Sequence, residues 1–360
     1  MLHGAFLHLP GIGPIRAARL RQLGLADWRD LGLRAPPGLR LGTAAWDAIL
    51  AAVARCDEAF AAGDIAFFAH ALCGPDLWRI LAQYGERAAF VDIETEGLYH
   101  GARITVIACQ WKGRIYTFVQ NENLDEFLDL VQNVDLMVTF NGACFDVPMI
   151  LHCYHIPELP CAHVDLRRVC YHAGCRGGLK AVEAGLGLQR PPDLRGVDGA
   201  EAVALWVRWQ RQGDRDDRDL LVRYCAADAM ALRGVMAAIL RRCGVPGPAL
   251  DAASVWADLD QVAPPPAVPR PSAELPTGAP APPPAGEPSP GRPSAPLGGL
   301  GAGSAPGPDR DGSRPAPGKT SAAFNLPPPR GPGEPPPTSP ETAARRRLRE
   351  MLRRRFARPS

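Results

Sequence analysis

Apolar positions follow helical spacing near the start of the chain and strand spacing after residue 87. Residues 15–23 and 43–62 combine helical spacing with good helix formers, Thr43 is the expected N-cap of the second helix, and a short helix is predicted at 25–31. The later pattern predicts strands at 88–93, 103–110 and 114–120, a helix at 124–134, a strand at 136–140, a helix at 146–155, a strand at 163–166 and helices over 179–240. This order predicts an α/β fold with a mixed five-stranded sheet flanked by helices, in which the first three strands form a meander.

The last quarter of the chain has a different composition. Residues 263–340 hold 26 of the 39 prolines and 12 of the 37 glycines. Such a segment buries too little apolar surface to offset the entropy lost on ordering, so we predict a disordered linker. Residues 341–360 regain helical spacing, with arginines around one apolar face that consists of Leu348, Met351, Leu352 and Phe356.

We therefore divide the chain into a helical region at 1–75, an α/β domain at 76–245, a Pro/Gly-rich disordered linker at 246–340 and a basic amphipathic helix at 341–360. Charge is unevenly distributed between these parts. The whole chain carries +2, residues 341–360 carry +6 and residues 263–340 carry +1, so the first 262 residues carry −5. This distribution excludes a uniformly basic nucleic-acid coat, and any affinity of the folded part for nucleic acid would depend on its basic ends.

The sequence shows no targeting signal and no cysteine metal motif. The N-terminus has neither the basic start nor the long apolar run of a secretory signal, and no stretch of about 18 uncharged apolar residues predicts a transmembrane helix. The ten cysteines include no CxxC pair. We expect reduced thiols, no zinc site and a cytoplasmic protein.

Two acidic side chains end the first predicted strand. Asp92 and Glu94 alternate with Ile93, so both project from the same face of the strand. Two neighbouring carboxylates repel unless a cation lies between them, and their hard oxygens suit Mg²⁺. Gly97 follows in a turn where a polymer backbone could approach closely. On its own, an Asp-x-Glu motif is more often a solvated strand end.

The segment after the fourth strand and a late helix carry the other polar candidates. Asp146 is either the N-cap of a helix or a third metal ligand, and in the second interpretation Asn141 and Phe145 face the substrate. Tyr224 and Asp228 lie four residues apart in a helix, so the hydroxyl and the carboxylate share one face. Alone, such a pair is more often a half-buried tyrosine beside a surface aspartate.

The order of these residues is more informative than each motif alone. Four acids with a tyrosine one turn before the last acid resemble the tyrosine-bearing subclass of the DEDD superfamily of 3′–5′ exonucleases; the residues are Asp92, Glu94, Asp146, Tyr224 and Asp228. Five blocks between residues 76 and 240 resemble the YprB-type RNase H-like domain of bacteria. They are LWRILAQYGERAAFVDIETEGL, FNGACFDVPMI, HVDLRRVC, GLKAVEAGLGLQR and RYCAADAMAL.

The resemblance implies an RNase H-like fold and a metal-dependent 3′–5′ exonuclease. The four acids would hold two divalent cations, Mg²⁺ or Mn²⁺, roughly 3.5–4 Å apart, one activating a water that Tyr224 orients and the other stabilising the leaving 3′ oxygen. Glu96 stands where the family more often has threonine, which would add a negative charge near the metals. Asp165 is a weaker site candidate that we interpret as a structural strand-end residue. We interpret His163 as a packing or surface histidine, and Lys180 as a solvent-facing lysine rather than a phosphate contact.

The segment LPGIGPIRAARLRQLGL near the N-terminus resembles a helix-hairpin-helix motif. In that family the Gly-x-Gly turn exposes backbone N–H groups that bind a phosphate at the start of the second helix. Gly11 and Gly13 would allow the close approach, while Arg16, Arg19 and Arg21 would supply positive charge. The alternative is an ordinary helical turn that contains glycine.

Three functions are compatible with these features. The first is a nuclease acting on DNA or RNA, which the complete set of acids favours. The second is a catalytically weak nucleic-acid-binding module. The third is an adaptor whose basic C-terminal helix binds a protein partner, although this helix could also bind phosphates or an anionic membrane surface. The sequence predicts no membrane span and leaves the oligomeric state open.

Overall fold

The computed structural model describes residues 1–99, 101–247 and 250–263 of the chain. The α-helices are α1 Pro14–Gln22, α2 Thr43–Ala62, α3 Ile65–Ala71, α4 Trp78–Tyr84, α5 Glu126–Val131, α6 Asp146–Tyr154, α7 Leu166–His172, α8 Leu179–Gly185, α9 Gly199–Gln212, α10 Arg215–Arg242 and α11 Ala252–Trp256. The strands are β1 Ala88–Thr95, β2 Ile104–Trp111, β3 Arg114–Val119, β4 Leu136–Thr139, β5 Ala162–Asp165 and β6 Val262–Ala263.

The strands form one mixed sheet in the order β5-β4-β1-β2-β3-β6. β1, β2 and β3 form the predicted antiparallel meander, while β4 runs parallel to β1 and β5 parallel to β4. The β2–β3 connection is a tight hairpin in which Lys112 (φ 50°) and Gly113 (φ 73°) both have left-handed backbone. The predicted RNase H-like α/β fold with five strands is therefore confirmed, and the two-residue β6 is added beside β3.

Helices cover both faces of the sheet, and its central strands are therefore buried on both sides. All eight residues of β2 are buried. Ile107 and Cys109 pack on one face with α5 and α6, whereas Val106 and Ala108 pack on the other face with α9 and α10. This period-two alternation holds α10 against β1 and β2, so polar residues of α10 can reach the end of β1.

The N-terminal helices share a hydrophobic core with the α/β domain. Trp28 and Phe68 are fully buried in the same apolar cluster as Leu166 of α7 and Leu232 of α10. The indole Nε1 of Trp28 satisfies its hydrogen-bonding capacity by donating to Asp57 Oδ1 at 2.8 Å. The region therefore packs on α7 and the second half of α10.

Two predictions about local helices are wrong. Gly42 is the N-cap of α2 and makes no side-chain capping bond, so Thr43 is the first helical residue rather than the cap. A 3₁₀ turn at Trp28–Asp30 replaces the helix predicted at 25–31, because the Asp27 side chain caps the turn and takes part in a capping box that closes it.

The boundary at residue 246, where the linker was predicted to begin, is wrong. Part of the segment assigned to the linker forms α11 and β6, and Val255 of α11 packs closely on Gly234 of α10, where a Cβ would lie 2.8 Å from Val255 Cγ2. The rest of the predicted linker, from residue 264, and the basic helix at 341–360 lie outside the described residues. No helix within the described ranges combines the length and apolar character needed to cross a membrane.

Candidate metal centre and active site

The end of β1 and the middle of α10 meet at three carboxylates. Asp92 and Glu94 project from one face of β1, and Asp228 approaches them from α10. Each side chain offers one oxygen, and these three atoms lie within 4.8 Å of one another. The helix can approach the strand this closely because Ala227 and Ala229, beside Asp228, are small and fully buried in the core.

Asp146 lies beside this group without belonging to it. It is the first residue of α6, whose N-cap is Phe145, so the N-cap interpretation of Asp146 is wrong. Its carboxylate instead lies near the backbone N–H groups of Asp146 and Ile93, which lower its pKa against the larger, opposite effect of burial. Asp146 is close enough to raise the pKa values of Asp92 and Glu94.

Burial raises the pKa of all four carboxyl groups. The pKa values of Asp92 and Glu94 are well above their ordinary range, first because of burial and then because of the neighbouring carboxylates. Burial also raises the pKa of Asp146 to about 7 and raises the pKa of Asp228, an effect that the Arg190 guanidinium opposes. Without a cation, full ionisation of the group is therefore unfavourable. A divalent ion would favour the ionised carboxylates.

Tyr224 lies one turn before Asp228 on α10 and is 4% exposed. Lys180 Nζ of α8 donates a 2.9 Å hydrogen bond to the Tyr224 hydroxyl and a second hydrogen bond to the Val197 carbonyl. The interpretation of Lys180 as a solvent-facing lysine is therefore wrong, because the packing of α8 on α10 directs it inwards. Burial, followed by the charge of Asp228, raises the pKa of Tyr224 and keeps the phenol protonated.

A buried ion-pair network continues from Asp228 towards α8. Arg190 Nε and Nη2 donate to the two carboxylate oxygens of Glu183 at 2.7 and 2.5 Å, and Nη2 also pairs with Asp228 Oδ1. The side chains of Glu183 and Arg190 are only 2% and 6% exposed. Sequence reasoning missed both residues because Glu and Arg are almost always at the surface. The one available sign was the i, i+3 spacing of Lys180 and Glu183, which places them on one face of α8.

Asp165 fixes the loop between β4 and α6. Its carboxylate accepts hydrogen bonds from the N–H groups of Asn141 (2.8 Å), Ala143 (3.3 Å) and Arg167 (3.0 Å), which confirms its expected structural role. Asn141 has left-handed backbone (φ 66°), and its Oδ1 accepts a 2.6 Å hydrogen bond from Arg167 Nη1. The loop packs tightly on β4, since a Cβ at Gly142 would lie 2.0 Å from a threonine hydroxyl of that strand.

Phe145 and His163 support the same loop. Phe145 is half-buried against the apolar cluster under the sheet. His163 Nε2 lies 2.8 Å from Thr139 Oγ1, and burial lowers the pKa of His163 to about 4, so it is a neutral packing residue as expected. Asn141 and Phe145 both precede Asp146 in this loop, and their contact with a substrate stays a prediction.

Glu96 is paired within the β1–β2 connection. Its carboxylate accepts hydrogen bonds from the Arg103 N–H at 3.3 Å and the Tyr99 hydroxyl at 3.2 Å, and lies 3.5 Å from Arg103 Nε. Gly97 has a φ of 148°, and a Cβ there would lie 3.1 Å from the Tyr99 ring. The charge of Glu96 is thus balanced by Arg103, so it adds less to the acidic group than the sequence suggests.

The glycine turn before α1 is built largely from local contacts. Gly11 has left-handed backbone (φ 72°), and Gly13 is the N-cap of α1. Arg16 Nη1 donates to the Gly11 carbonyl at 2.7 Å, and Arg16 Nε donates to the Leu39 carbonyl at 3.2 Å. Arg16 therefore stabilises the turn. Among the described residues, a 3₁₀ turn at Leu2–Gly4 lies before this turn, and the helix-hairpin-helix resemblance stays a prediction.

An open cavity of about 830 Å³ lies at the start of α1. Its lining includes Arg19 and Arg40, both exposed, and Ile15, which is 86% exposed. The positive end of α1 and two arginines therefore border the same space, which favours an anion there.

Residues 89–240 match the family model RNase_H_2 of the RNase_H superfamily. This range is less than half of the chain and contains the four acids and the tyrosine described above. A search of curated proteins gave no match. Among solved structures, the chain is similar to the family B DNA polymerase from the hyperthermophilic archaeon Pyrobaculum calidifontis, with 18% identity, a TM-score of 0.35 and coverage of 43% of this chain and 24% of the polymerase chain. The matched part therefore spans about a quarter of the polymerase.

Proposed function

We propose that this protein is a metal-dependent nuclease that hydrolyses phosphodiester bonds of DNA or RNA as a 3′–5′ exonuclease with a two-metal mechanism. The observation that carries the proposal is the convergence of Asp92, Glu94 and Asp228 within 4.8 Å on an RNase H-like sheet. The match of residues 89–240 to the RNase_H superfamily supports the same class of activity.

The donor set fits hard divalent cations. Asp92, Glu94, Asp146 and Asp228 are carboxylates, which Mg²⁺ and Mn²⁺ prefer as ligands, and together they would hold the ions. Their raised pKa values mean that the metal-free group is electrostatically unfavourable when fully ionised. Bound there, the cations would supply Lewis acidity that activates water and stabilises charge on a leaving 3′ oxygen.

Tyr224 would orient the attacking water, and Lys180 would orient Tyr224. The Tyr224 oxygen accepts a hydrogen bond from Lys180 Nζ, so the phenol proton must be donated elsewhere. Its raised pKa keeps this proton in place at neutral pH. Lys180 is itself anchored by the Val197 carbonyl, so the phenol is held from one side by a fixed donor.

Substrate binding would involve two further regions. Asn141 and Phe145, on the loop fixed by Asp165, would contact the nucleotide near Asp146. We propose that the helical region at 1–75 binds the nucleic-acid backbone through the turn at Gly11 and Gly13, where a helix N-terminus meets basic side chains. Such contacts bind phosphate without reading bases.

A degradation assay tests the proposal. The full-length protein is incubated with 5′-labelled single- and double-stranded DNA and RNA in Mg²⁺, Mn²⁺ or EDTA. Metal-dependent shortening from the 3′ end with release of nucleoside 5′-monophosphates is expected for the wild type and for Asp193→Asn. Asp193 is a matched control because it is a half-exposed acid that pairs with Arg223 of α10. The same shortening should be absent in Asp228→Asn.

Two other outcomes would contradict the proposal. Tight nucleic-acid binding that chelators do not affect, without hydrolysis by either metal, would favour the binding module. Loss of a co-purifying protein on deletion of residues 264–360, again without hydrolysis, would favour the adaptor.

A further inference from the structure

The network behind Asp228 contains a buried cation to which the proposed mechanism gives no role. Arg190 joins Glu183 of α8 to Asp228 of α10, and all three side chains are at most 11% exposed. We infer that Arg190, held by Glu183, is a positioning residue that fixes the Asp228 carboxylate for divalent-cation binding. The inference rests on the proposed function, since it assumes that Asp228 is a metal ligand.

Arg190 is anchored independently of Asp228. Its Nε and Nη2 form a two-pronged pair with both oxygens of Glu183, at 2.7 and 2.5 Å, which is the strongest geometry available to a guanidinium. Nη1 is buried and has no hydrogen-bond partner among the described residues. The orientation of the guanidinium is therefore set by Glu183 on one side, and its Nη2 is presented to Asp228 on the other.

The ion pair with Arg190 restrains one oxygen of the Asp228 carboxylate. Arg190 Nη2 pairs with Oδ1 of Asp228 and holds that oxygen beside the guanidinium. One oxygen of Asp228 lies within 4.8 Å of oxygens from Asp92 and Glu94. Partners that orient metal ligands in this way commonly account for a 10- to 100-fold change in metal affinity.

The charge of Arg190 is already balanced. A lone guanidinium beside a metal ligand would repel a divalent cation, but Glu183 contributes an opposite charge at hydrogen-bond distance. The Glu183–Arg190 pair is therefore formally neutral, and its effect on a cation is directional rather than repulsive. A positioning role therefore differs from competition, in which Arg190 would occupy the place of the metal.

Manganese binding measures the role without relying on activity. Mn²⁺ is titrated into the full-length protein by isothermal calorimetry, with unbound Mn²⁺ checked by electron paramagnetic resonance. We expect Arg190→Met to weaken Mn²⁺ binding about 10- to 100-fold. Arg190→Lys should give an intermediate affinity, because it keeps the charge and loses the two-pronged geometry. Arg208→Met is the matched control and should bind Mn²⁺ like the wild type, since Arg208 pairs with Asp217 and Glu201, which are not among the four acids.

A double variant separates positioning from folding. Removing one member of a buried ion pair can unfold a protein, whereas replacing both members with apolar residues is often tolerated. Glu183→Met combined with Arg190→Met, with a circular dichroism spectrum and melting temperature like the wild type, should still bind Mn²⁺ more weakly. Wild-type affinity in the folded double variant would show that Arg190 only stabilises the fold, and higher affinity would show competition; either result would overturn the inference. If the wild type shows no Mn²⁺ binding that Asp92→Asn abolishes, the proposed function is overturned and the inference with it.

Discussion

The acidic group at the end of β1 and the basic turn before α1 are both charged, but their charges are satisfied in different ways. Asp92, Glu94 and Asp228 come from distant parts of the chain, face one another within 4.8 Å and have raised pKa values. Gly11 and Arg16 are five residues apart, and the guanidinium of Arg16 is bonded to the Gly11 carbonyl. The carboxylates of the first site therefore repel one another when they are ionised. The Arg16 guanidinium of the second site is already hydrogen-bonded to a nearby carbonyl.

This difference indicates where a ligand is required. A group of like charges that remains buried at a free-energy cost is typical of a functional site, because packing alone would not select it. A basic residue bonded to a local carbonyl needs no ligand to explain it. Only the exposed residues around the turn, such as Arg19 and Arg40, are available to an anion there.

The largest expected effect is loss of hydrolysis when one acid is neutralised. Asp92→Asn or Asp228→Asn removes a charged ligand while keeping the side-chain shape, and metal stabilisation worth several kcal/mol corresponds to roughly 1000-fold or more in rate. The measurement is the initial rate on end-labelled substrate in saturating Mg²⁺ and Mn²⁺. Activity within about tenfold of the wild type would show that the acidic group is not the catalytic centre, and would remove the contrast with the turn.

The next effect is a pH dependence of stability and of cation affinity, which is expected from the acidic group and not from the turn before α1. Burial raises the pKa of Asp146 from 3.8 to about 7, so the folded metal-free protein holds a proton there that the unfolded chain releases. The contribution of this group to stability is full below pH 3.8 and is lost as pH rises through about 7. A cation needs the ionised carboxylate, so its affinity should rise about tenfold per pH unit for each proton released.

Melting temperatures and Mn²⁺ titrations between pH 5.5 and 8.5 would measure both trends. The metal-free protein should melt at lower temperature as pH rises, and Mn²⁺ should reverse this loss. Asp146→Asn should reduce the pH dependence of both curves, since the amide does not titrate, while the other three carboxyl groups keep theirs. Curves that are the same for Asp146→Asn and the wild type would contradict the assignment.

A smaller effect is expected at Lys180. Kinetic measurements on a Lys180 variant distinguish a role in orienting Tyr224 from a role in binding phosphate. Lys180→Met removes the donor to Tyr224 Oη and should lower kcat about 10- to 100-fold with little change in KM, as for other residues that orient a reacting group. Steady-state kinetics on a defined oligonucleotide would measure the two parameters. A raised KM with unchanged kcat would instead indicate a phosphate contact.

The smallest effect concerns the turn before α1. Replacing Arg19 and Arg40 with alanine should weaken substrate binding several-fold without changing kcat, and should reduce the slope of log affinity against log salt by about 2 if each contacts one phosphate. Arg211→Ala is the control and should leave the slope unchanged, since Arg211 is an exposed residue near the end of α9. An unchanged slope in the double variant would show that the turn is only structural and would sharpen the contrast with the acidic group.

The residues of the acidic group could be predicted in part because their spacing in the sequence places them on one face of a strand or of a helix. Alternation along β1 places Asp92 and Glu94 on one face, and the helical repeat places Tyr224 with Asp228 on one face of α10. Asp165 could be interpreted as structural because it ends a strand and starts a helix. Each of these inferences needs only the local period of the backbone.

Charged residues that become buried could not be predicted in this way. Lys180, Glu183 and Arg190 lie in an ordinary amphipathic helix and the turn after it, where solvated charges are the rule. The same limit applies to Thr43, since the spacing of a helix does not say which of two adjacent residues caps it. Nor was α11 predicted, because this helix is short and packs on Gly234 of α10.

The sequence alone predicted the order of the strands β1 to β5 and of the helices between them, the change to a proline-rich composition, and which acids share a face. These properties depend on the period of the backbone and on composition, and both are local. Only the tertiary structure decided that Asp228 reaches β1, that Asp146 begins α6 beside Asp92 and Glu94, and that Arg190 turns inwards between two acids. The physical reason is that a buried charge is tolerated only when distant parts of the chain supply its partners, and such pairing exists only after the helices have packed on the sheet.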